Sequence, residues 1–248
     1  MRKGFAKKKK RMTMSNELLW FIFIVVDLSL SVVAFSIWGR YGLYVMIGVG
    51  TIICNIQVIK TVQLFGLVAT LGNVVYASIF FNTDILSEIY GKKEARRAVW
   101  IGFFALISAT VAMQFAVRFK PDISDIMQPH LKAIFNFMPR IVVASLSAYL
   151  ISQHHDVWAF HFWKKITRGK WLWLRNNLST MVSQLIDTTV FTFLAFWGVF
   201  PWPVFWQIFL TTYIFKWIIA AIDTPFLYFA RWLFRRKRTP GCFSIRTS

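Results

Sequence analysis

The chain has 248 residues, of which 57% are hydrophobic and only 16% are charged, and it contains 26 Phe and 12 Trp. This composition is far more apolar and aromatic than that of a soluble domain of the same size, and it excludes an ordinary water-soluble fold. The formal net charge of +19 would suit nucleic acid, but the cations lie in tails and links between apolar runs. Lipid headgroups are the nearer partner there, so the sequence predicts a lipid bilayer and no nucleic acid as its surroundings.

Seven apolar segments follow one another along the chain, most of them close to the roughly 20 residues that a helix needs to cross the hydrocarbon core. They cover residues 18–38, 43–59, 71–90, 99–119, 134–152, 178–200 and 205–233. Residues 60–70 are too few to span, so we expect an ordered extended or re-entrant connection buried among the helices. The pattern predicts an all-α polytopic membrane helical bundle. Its expected parts are a basic N-terminal extension (1–17), a transmembrane transport domain (18–233) and a basic cytoplasmic tail (234–248).

The links between the segments differ in charge. Four cations follow the third segment, five follow the fifth and six follow the seventh, whereas the link at residues 201–203 has none. The positive-inside rule places the three basic blocks, and with them the C-terminus, in the cytoplasm.

Seven crossings then place the N-terminus outside, although residues 1–17 hold seven cations against Glu17 alone. Either the first segment, with Asp27 at its middle, does not fully cross, or the natural chain begins later, at Met14. We favour the later start.

Polar side chains inside the apolar segments are the candidate functional residues, because each is costly in lipid and implies a partner, a cavity or a substrate. Asp84 and Glu88 are four residues apart and share a helix face, and Lys216 shares a face with Asp223. The candidates are Asn55, Lys60, Asn73, Asn82, Asp84, Glu88, Arg140, Gln184, Asp187, Thr188, Tyr213, Lys216 and Asp223.

The alternative interpretation is that these groups only hold the bundle together. Arg140 would then pair with an acid and Lys216 with Asp187, while Asp84 and Glu88 would join an ion-pair network with the neighbouring cations of residues 92–96. Tryptophans near the segment ends are typical of an interfacial belt. The histidines at positions 154, 155 and 161 are expected to face headgroups from a basic loop, because they lack the companion ligands of a metal site.

Catalytic sets are missing from the sequence: it has no Gly-rich phosphate loop, no Ser/His/Asp set and no HExxH helix. Cys54 and Cys242 have neither the number nor the spacing for a disulfide framework or a metal site. We therefore expect no enzyme, no cofactor and no metal. A transporter needs only a binding pocket and gates.

Several strings resemble the queuosine precursor transporter family, also called vitamin uptake transporters. They are NIQVIK, TDILSEIYGKKEARRAVWIGF, PRIVVASLSAYLISQHHDVWAF, SQLIDTTVFTFLAFWG and TTYIFKWIIAAIDTPFLY, which occur in this order between about residues 16 and 233. The resemblance implies a six-helix core, similar to the substrate-binding subunits of energy-coupling-factor transporters, plus one N-terminal helix. It also implies import of 7-deazaguanine bases, as the cyano form, the aminomethyl form or queuine, across the bacterial inner membrane.

A deazaguanine presents adjacent N–H donors and a carbonyl acceptor, which a carboxylate together with an amide or a cation can satisfy. We expect Asp187 to bind the donor edge, with Tyr213 or Phe191 stacking on the ring. The substrate-binding set is predicted as Asn55, Lys60, Arg140, Gln184, Asp187, Thr188, Tyr213 and Lys216, and a gate or proton-coupling pair as Asp84 and Glu88. Two questions stay open: whether the chain is instead a vitamin-capture subunit that requires a separate ATPase module, and whether it forms a homo-oligomer.

Overall fold

A computed structural model describes residues 15–136, 138–168, 170–198 and 201–238. In this part of the chain the fold consists of helices and one small hairpin. The helices are α1 (Asn16–Trp38), α2 (Arg40–Gln57), α3 (Asn73–Ile89), α4 (Lys92–Arg118), α5 (Gln128–Phe135), α6 (Met138–Ile166), α7 (Leu172–Phe196) and α8 (Trp202–Arg238), and the strands are β1 (Thr61–Leu64) and β2 (Leu67–Thr70).

The all-α polytopic membrane fold predicted from the sequence is confirmed, since each of the seven apolar segments coincides with a helix. Within the described residues, four helical stretches are long and apolar enough to cross a membrane, and a fifth is added if α5 and α6, which meet at 43°, count as one span. The four stretches are Asn16–Trp38, Lys92–Arg118, Asn177–Phe196 and Phe205–Arg236. Helices α2 and α3, of 18 and 17 residues, are shorter.

Helix α3 is the centre of the bundle. It packs against α1, α2, α4, α6 and α8, and 14 of its 17 residues are buried. Because it faces protein on all sides, it carries polar side chains such as Asn73, Asn82 and Asp84 that a lipid-facing helix would not tolerate.

The bundle has two chemically different ends. At the basic end, the start of α2 meets the start of α4, where Arg40 lies 3.9 Å from Glu94 and the hydroxyl of Tyr44 donates to the same carboxylate. The C-terminal parts of α1, α3 and α8 meet there too, through the rings of Phe35, Tyr90 and Phe234. The hairpin end lies opposite and holds β1 and β2.

The β-hairpin corrects one expectation. Residues 60–70 are extended as predicted, and Leu64 pairs with Leu67 across a turn at Phe65 and Gly66, whose φ angles are 51° and 79°. Two consecutive positive φ angles are typical of the turns that match the twist of paired strands. Of the hairpin side chains that the structure describes, only Leu64 and Ala69 are buried, and the tip at Phe65 and Gly66 is exposed, so the connection covers the helices rather than lying among them.

Helix α1 begins at the hairpin end. The side chain of Ser15 accepts a hydrogen bond from the N–H of Leu18 and caps the helix, and Glu17 accepts the N–H of Phe65 at 3.2 Å. The helix then runs to the basic end with Asp27 buried at its middle, so the first segment extends along the whole bundle. The lysine-rich residues before position 15, on which the later start was argued, lie outside the described residues.

The fifth apolar segment is longer than predicted. Helix α6 continues to Ile166, so His154, His155 and His161 lie within a helix and not in a basic loop as expected. The same turns bring Gln153 and Asp156 into the interior, where both are fully buried.

Candidate functional site

A cavity of about 400 Å³, its mouth included, lies in the half of the bundle nearer the hairpin. Helices α2, α3, α6, α7 and α8 contribute its walls, together with the end of β2. Its lining residues are Cys54, Asn55, Val58, Thr70, Gly72, Asn73, Tyr76, Ser145, Ala148, Asp187, Phe191, Thr212 and Lys216.

A buried ion pair forms one wall of this cavity. The Lys216 ammonium on α8 lies 2.5 Å from Oδ2 of Asp187 on α7, and both side chains are at least 95% buried. The other carboxylate oxygen accepts hydrogen bonds from the hydroxyl of Tyr76 on α3 and, at 3.2 Å, from Ser152 on α6. The ammonium also lies 4.6 Å from the centroid of the Tyr76 ring. Four helices therefore converge on one carboxylate.

This geometry explains how two charges are tolerated in an interior that lacks bulk water. Transfer of either ion alone from water would cost several kcal/mol, and the penalty is offset only when the pair is close and its remaining lone pairs are hydrogen-bonded. Here the pair is net neutral, and Asp187 is held in one orientation by three donors. Oδ1 already accepts from two donors, so the remaining acceptor capacity for a ligand lies on Oδ2.

Two amides in the wall supply further hydrogen-bonding groups. The Nδ2 of Asn55 donates to the carbonyl of Thr51 at 2.9 Å, which leaves its Oδ1 without a partner among the described residues. The Nδ2 of Asn73 is likewise unpartnered within that part of the chain. Buried polar atoms are normally satisfied, so an acceptor and a donor facing one cavity indicate a polar ligand or ordered water.

The remaining walls are apolar or aromatic. The ring of Phe191 on α7 and the ring of Tyr76 on α3 both line the cavity, with Val58 and Ala148 between the polar groups. Aromatic and apolar walls combined with a few convergent polar groups are typical of a site for a small heteroaromatic ligand.

Three members of the predicted substrate-binding set come together in this cavity: Asn55, Asp187 and Lys216. The predicted pairing of Lys216 with Asp187 is present as well. Gln184 and Thr188 are fully buried on α7 within one turn of Asp187 but lie behind the cavity wall. The structure also brings Phe191 to the site, as the alternative to Tyr213.

Arg140, Lys60 and Tyr213 lie elsewhere. Arg140 has no acidic partner within the described residues; its guanidinium donates to the carbonyls of Leu194 and Trp197 at 3.0 and 2.6 Å. It thus caps the C-terminus of α7, where unpaired carbonyls favour a cation. Lys60 is exposed at the start of the hairpin. Tyr213 is half-buried outside the cavity, because the position one turn before Lys216 that faces inward is Thr212.

Asp84 and Glu88 were predicted as one pair, but they belong to different clusters. Glu88 forms ion pairs with Lys164 at 3.3 Å and Arg231 at 3.4 Å, which ties α3, α6 and α8 together at the basic end. These partners differ from the predicted cations of residues 92–96. Asp84 is 99% buried and accepts a hydrogen bond from Thr180 on α7 at 3.2 Å.

Sequence reasoning missed Tyr76, Ser152 and Asn73 as members of the site, although Asn73 was noted as an intramembrane amide. The signal that identifies two of them is periodicity, because Asn73 and Tyr76 are three residues apart and share one face of α3. Ser152 was the last residue of a segment that ends too early in the sequence analysis, and a single hydroxyl is common in membrane helices.

Comparison with known proteins decides the family. Residues 70–230 match the family described as "Putative vitamin uptake transporter", and this range is more than half of the chain. The chain belongs to this vitamin uptake transporter family. A Bacillus subtilis relative named "Probable queuosine precursor transporter" is 45% identical over 219 residues, which cover 88% of this chain and 96% of the relative.

Two further vitamin uptake transporter relatives are more distant. An Escherichia coli protein named "Queuosine precursor transporter" is 28% identical over 68% of this chain and 75% of its own length. A Haemophilus influenzae protein named "Probable queuosine precursor transporter" is 26% identical over 54% of each. No solved structure matches the chain. The resemblance seen in the sequence motifs is thereby confirmed, and the chain is a multi-pass membrane protein of a transporter family.

The buried pair leads to a prediction about the stability of the protein. Asp187→Asn or Lys216→Gln alone leaves one uncompensated buried charge, which costs about 3–5 kcal/mol, whereas the double variant costs less than the sum of the two. Thermal unfolding of the purified variants in detergent measures both effects. Arg97→Gln removes the exposed partner of Glu94 and serves as a control, with an expected loss of under about 1 kcal/mol. Additive losses at Asp187 and Lys216 would contradict the pairing.

Proposed function

We propose that this chain imports queuosine precursors, the 7-deazaguanine bases, across the cytoplasmic membrane of a bacterium. Two observations support the proposal. The relative with 45% identity, which aligns over nearly its whole length, carries the name of a queuosine precursor transporter. The cavity at Asp187 and Lys216 offers the hydrogen-bonding groups that such a base requires, and this cavity is the observation that carries the proposal.

In the proposed complex, Oδ2 of Asp187 accepts from one of the two neighbouring donors of the base, the ring N–H or the exocyclic amine. The carbonyl of the base accepts from the Lys216 ammonium or the Asn73 amide, and the oxygen of Asn55 accepts a further N–H. Phe191 and Tyr76 contact the ring faces. The base thereby satisfies the two amide atoms that lack protein partners in the described residues.

A second cavity supports entry from the hairpin end. It has a volume of about 730 Å³, its opening included, and lies between β2 and the helix ends of α6, α7 and α8. It shares Val58, Thr70 and Thr212 with the substrate cavity, so the two spaces are adjacent. We therefore place the outward mouth beside the hairpin.

The distribution of cations supports a cytoplasmic position for the basic end. Positive residues are concentrated where chains remain on the cytoplasmic side. Among the side chains that the structure describes, the cations of the basic end are Arg40, Lys92, Lys93, Arg96, Arg97, Lys164, Lys165, Arg168, Lys170, Arg231, Arg235 and Arg236, against Lys60, Arg118, Lys120, Lys132 and Arg140 at the hairpin end. The transport domain of residues 18–233 then begins outside, and α8 ends in the cytoplasm.

Glu88 with Lys164 and Arg231 forms the proposed inner gate. The three side chains join α3, α6 and α8 between the substrate cavity and the cytoplasm, and the Lys164 ammonium also donates to the backbone carbonyl of Glu88 at 3.1 Å. Release of the base inward requires these helices to separate, so these contacts must break in each cycle. The side chains of Lys164 and Arg231 are 32% and 26% exposed although that of Glu88 is only 6% exposed, so water already reaches both cations when the contacts open.

Uptake by cells tests the proposed function. In a bacterial strain that cannot make queuosine, the wild-type protein is expected to restore queuosine in tRNA when the cyano base, the aminomethyl base or queuine is supplied. Asp187→Asn removes a charged hydrogen bond worth about 1.5–3 kcal/mol, so uptake at low base concentration falls about ten- to a hundredfold. Asp122→Asn, which removes the same charge from an exposed loop, serves as the matched control.

The same restoration by Asp187→Asn and by wild type, at equal membrane levels, would contradict the proposed role of this residue. Uptake of the base by the purified protein alone in liposomes separates the import function from its alternative, a vitamin-capture subunit that requires an ATPase module. The import proposal expects uptake without any added module.

The inner gate has its own test, which uses Cys54 in the cavity wall as a reporter. Cys242→Ser leaves Cys54 as the single cysteine of the chain. In inverted vesicles, Glu88→Gln is expected to increase the rate at which a membrane-impermeant maleimide labels Cys54, because the closing contacts of α3 with α6 and α8 are weakened. Glu17→Gln at the hairpin end is the control. Equal labelling rates in Glu88→Gln and wild type would contradict the gate.

A further inference from the structure

A second group of buried acids lies between the substrate cavity and the inner gate. Asp84 on α3 and Asp156 on α6 are 99% and 100% buried, and their carboxyl groups are close enough to interact directly, with Asp223 of α8 acting electrostatically on Asp84. Half of the ten acidic residues of the chain are aspartates buried within helices, and three of those five meet here. Among the described side chains, no cation forms an ion pair with Asp84 or Asp156.

Two carboxylates in direct contact repel one another strongly when both are ionised in a medium of low dielectric constant. Such a contact is stable when one proton lies between the two groups, as in the paired carboxyls of aspartic proteases. The neighbouring groups are hydroxyls, which donate to a carboxylate but bring no charge: Thr180 donates to Asp84, and Ser179 and Ser183 face Asp156.

Helices α3, α6 and α8 each contribute titratable side chains near the Asp84–Asp156 pair. Helix α3 contributes Glu88 one turn nearer the basic end, where it is held by Lys164 of α6 and Arg231 of α8. Helix α6 contributes His155, whose Nδ1 lies 2.8 Å from Ser183 on α7. Helix α8 contributes Asp223. Among the described side chains, the cations at this level are engaged by Glu88.

An independent observation connects this pair with the substrate site. Gln153 is fully buried beside Asp156, and its Oε1 lies 3.2 Å from Thr83, one residue before Asp84, while its Nε2 has no partner among the described residues. Gln184 lies one turn after Thr180 and three residues before Asp187; it is fully buried, and neither of its amide atoms has a partner in the described chain.

Unpartnered buried amides of this kind need polar partners, which ordered water molecules would supply. The amides form a series from Asp156 and Asp84, past Gln153 and Gln184, to Asp187. A hydrated line of donors and acceptors can carry a proton, whereas the surrounding apolar helices cannot. Buried polar side chains of α6 and α7 therefore lie between the two acidic sites inside the bundle.

We propose that Asp84 and Asp156 together form a proton-binding site whose loading and release drive import of the base. This inference rests on the proposed function and adds its energy source. One proton enters from the hairpin end with each base, is held between the two carboxyl groups, and leaves at the basic end when the inner gate opens. No covalent bond is made or broken. Since the cyano base is neutral and moves with one proton, each cycle with this base carries one positive charge inward.

Reconstituted full-length protein tests this site by two transport measurements made on the same liposomes with labelled 7-cyano-7-deazaguanine. Counterflow exchange of the base requires binding and gating but no gradient. Accumulation driven by an acidic exterior requires proton coupling, and with one proton per base a gradient of one pH unit supports a concentration ratio of about tenfold. Wild type is expected to perform both. Asp156→Asn is expected to retain counterflow and to lose accumulation, giving a ratio of about one.

A second variant, a control variant and a spectroscopic measurement accompany this experiment. Asp84→Asn is a second variant with the same expectation, in case Asp156→Asn does not fold. Asp122→Asn in the exposed loop is expected to behave as wild type. Infrared spectroscopy reports the proton itself: the carbonyl band of a protonated carboxyl group at neutral pH is expected to be weaker in the double variant Asp84→Asn/Asp156→Asn than in wild type.

The outcomes separate the two proposals. Wild type that shows counterflow but no response to the pH gradient, or an Asp156→Asn variant that accumulates the base about tenfold, would overturn the proton site while leaving import intact. Absence of counterflow in wild type would overturn the proposed function instead. In that case the infrared band is the remaining test of the proton site. A band of equal strength in wild type and in the double variant overturns the proton site.

Discussion

The contact between Lys216 and Asp187 is the interaction on which the arrangement of this transporter depends. A lysine and an aspartate inside a membrane bundle are tolerable only when each neutralises the other, and the 2.5 Å separation achieves this. To satisfy the second oxygen of Asp187, α3 must present Tyr76 and α6 must present Ser152 at the same level. The hydrogen bonds and the ion pair of one carboxylate thus fix the relative positions of four helices, and the cavity lies beside this carboxylate.

This constraint also accounts for the unusual polarity of α3. A helix surrounded by other helices can carry amides and carboxyls in its middle, since none of its faces contacts lipid. Its polar side chains serve three levels of the bundle: Asn73 and Tyr76 at the cavity, Asp84 at the buried acid pair, and Glu88 at the basic end. One central helix therefore connects substrate binding, the proposed proton site and the proposed inner gate, which allows a change at one level to reach the others.

The sequence predicted the helices well and the site in part, for physical reasons. Apolar runs of the length of a bilayer are a strong signal, so each predicted segment coincides with a helix. Asn55, Asp187 and Lys216 were identified because a charge or amide within such a run needs a partner. Arg140 and Lys60 are cations like Lys216, but they lie near helix ends, where solvent and backbone carbonyls stabilise a cation. The sequence does not distinguish these two positions from that of Lys216. Asp156 was not identified as a candidate residue, because α6 continues through a polar stretch that resembles a loop in the sequence.

The central claim, that the cavity beside Asp187 and Lys216 binds a deazaguanine base, is tested most directly by protection of Cys54, which lines the same cavity. In a Cys242→Ser protein, the rate at which N-ethylmaleimide labels Cys54 is measured at increasing concentrations of 7-cyano-7-deazaguanine, and adenine serves as the control purine. The account predicts that the cyano base slows labelling in a saturable manner, that adenine does not, and that Asp187→Asn abolishes the protection. An unchanged labelling rate of Cys54 at all concentrations of the base would contradict it.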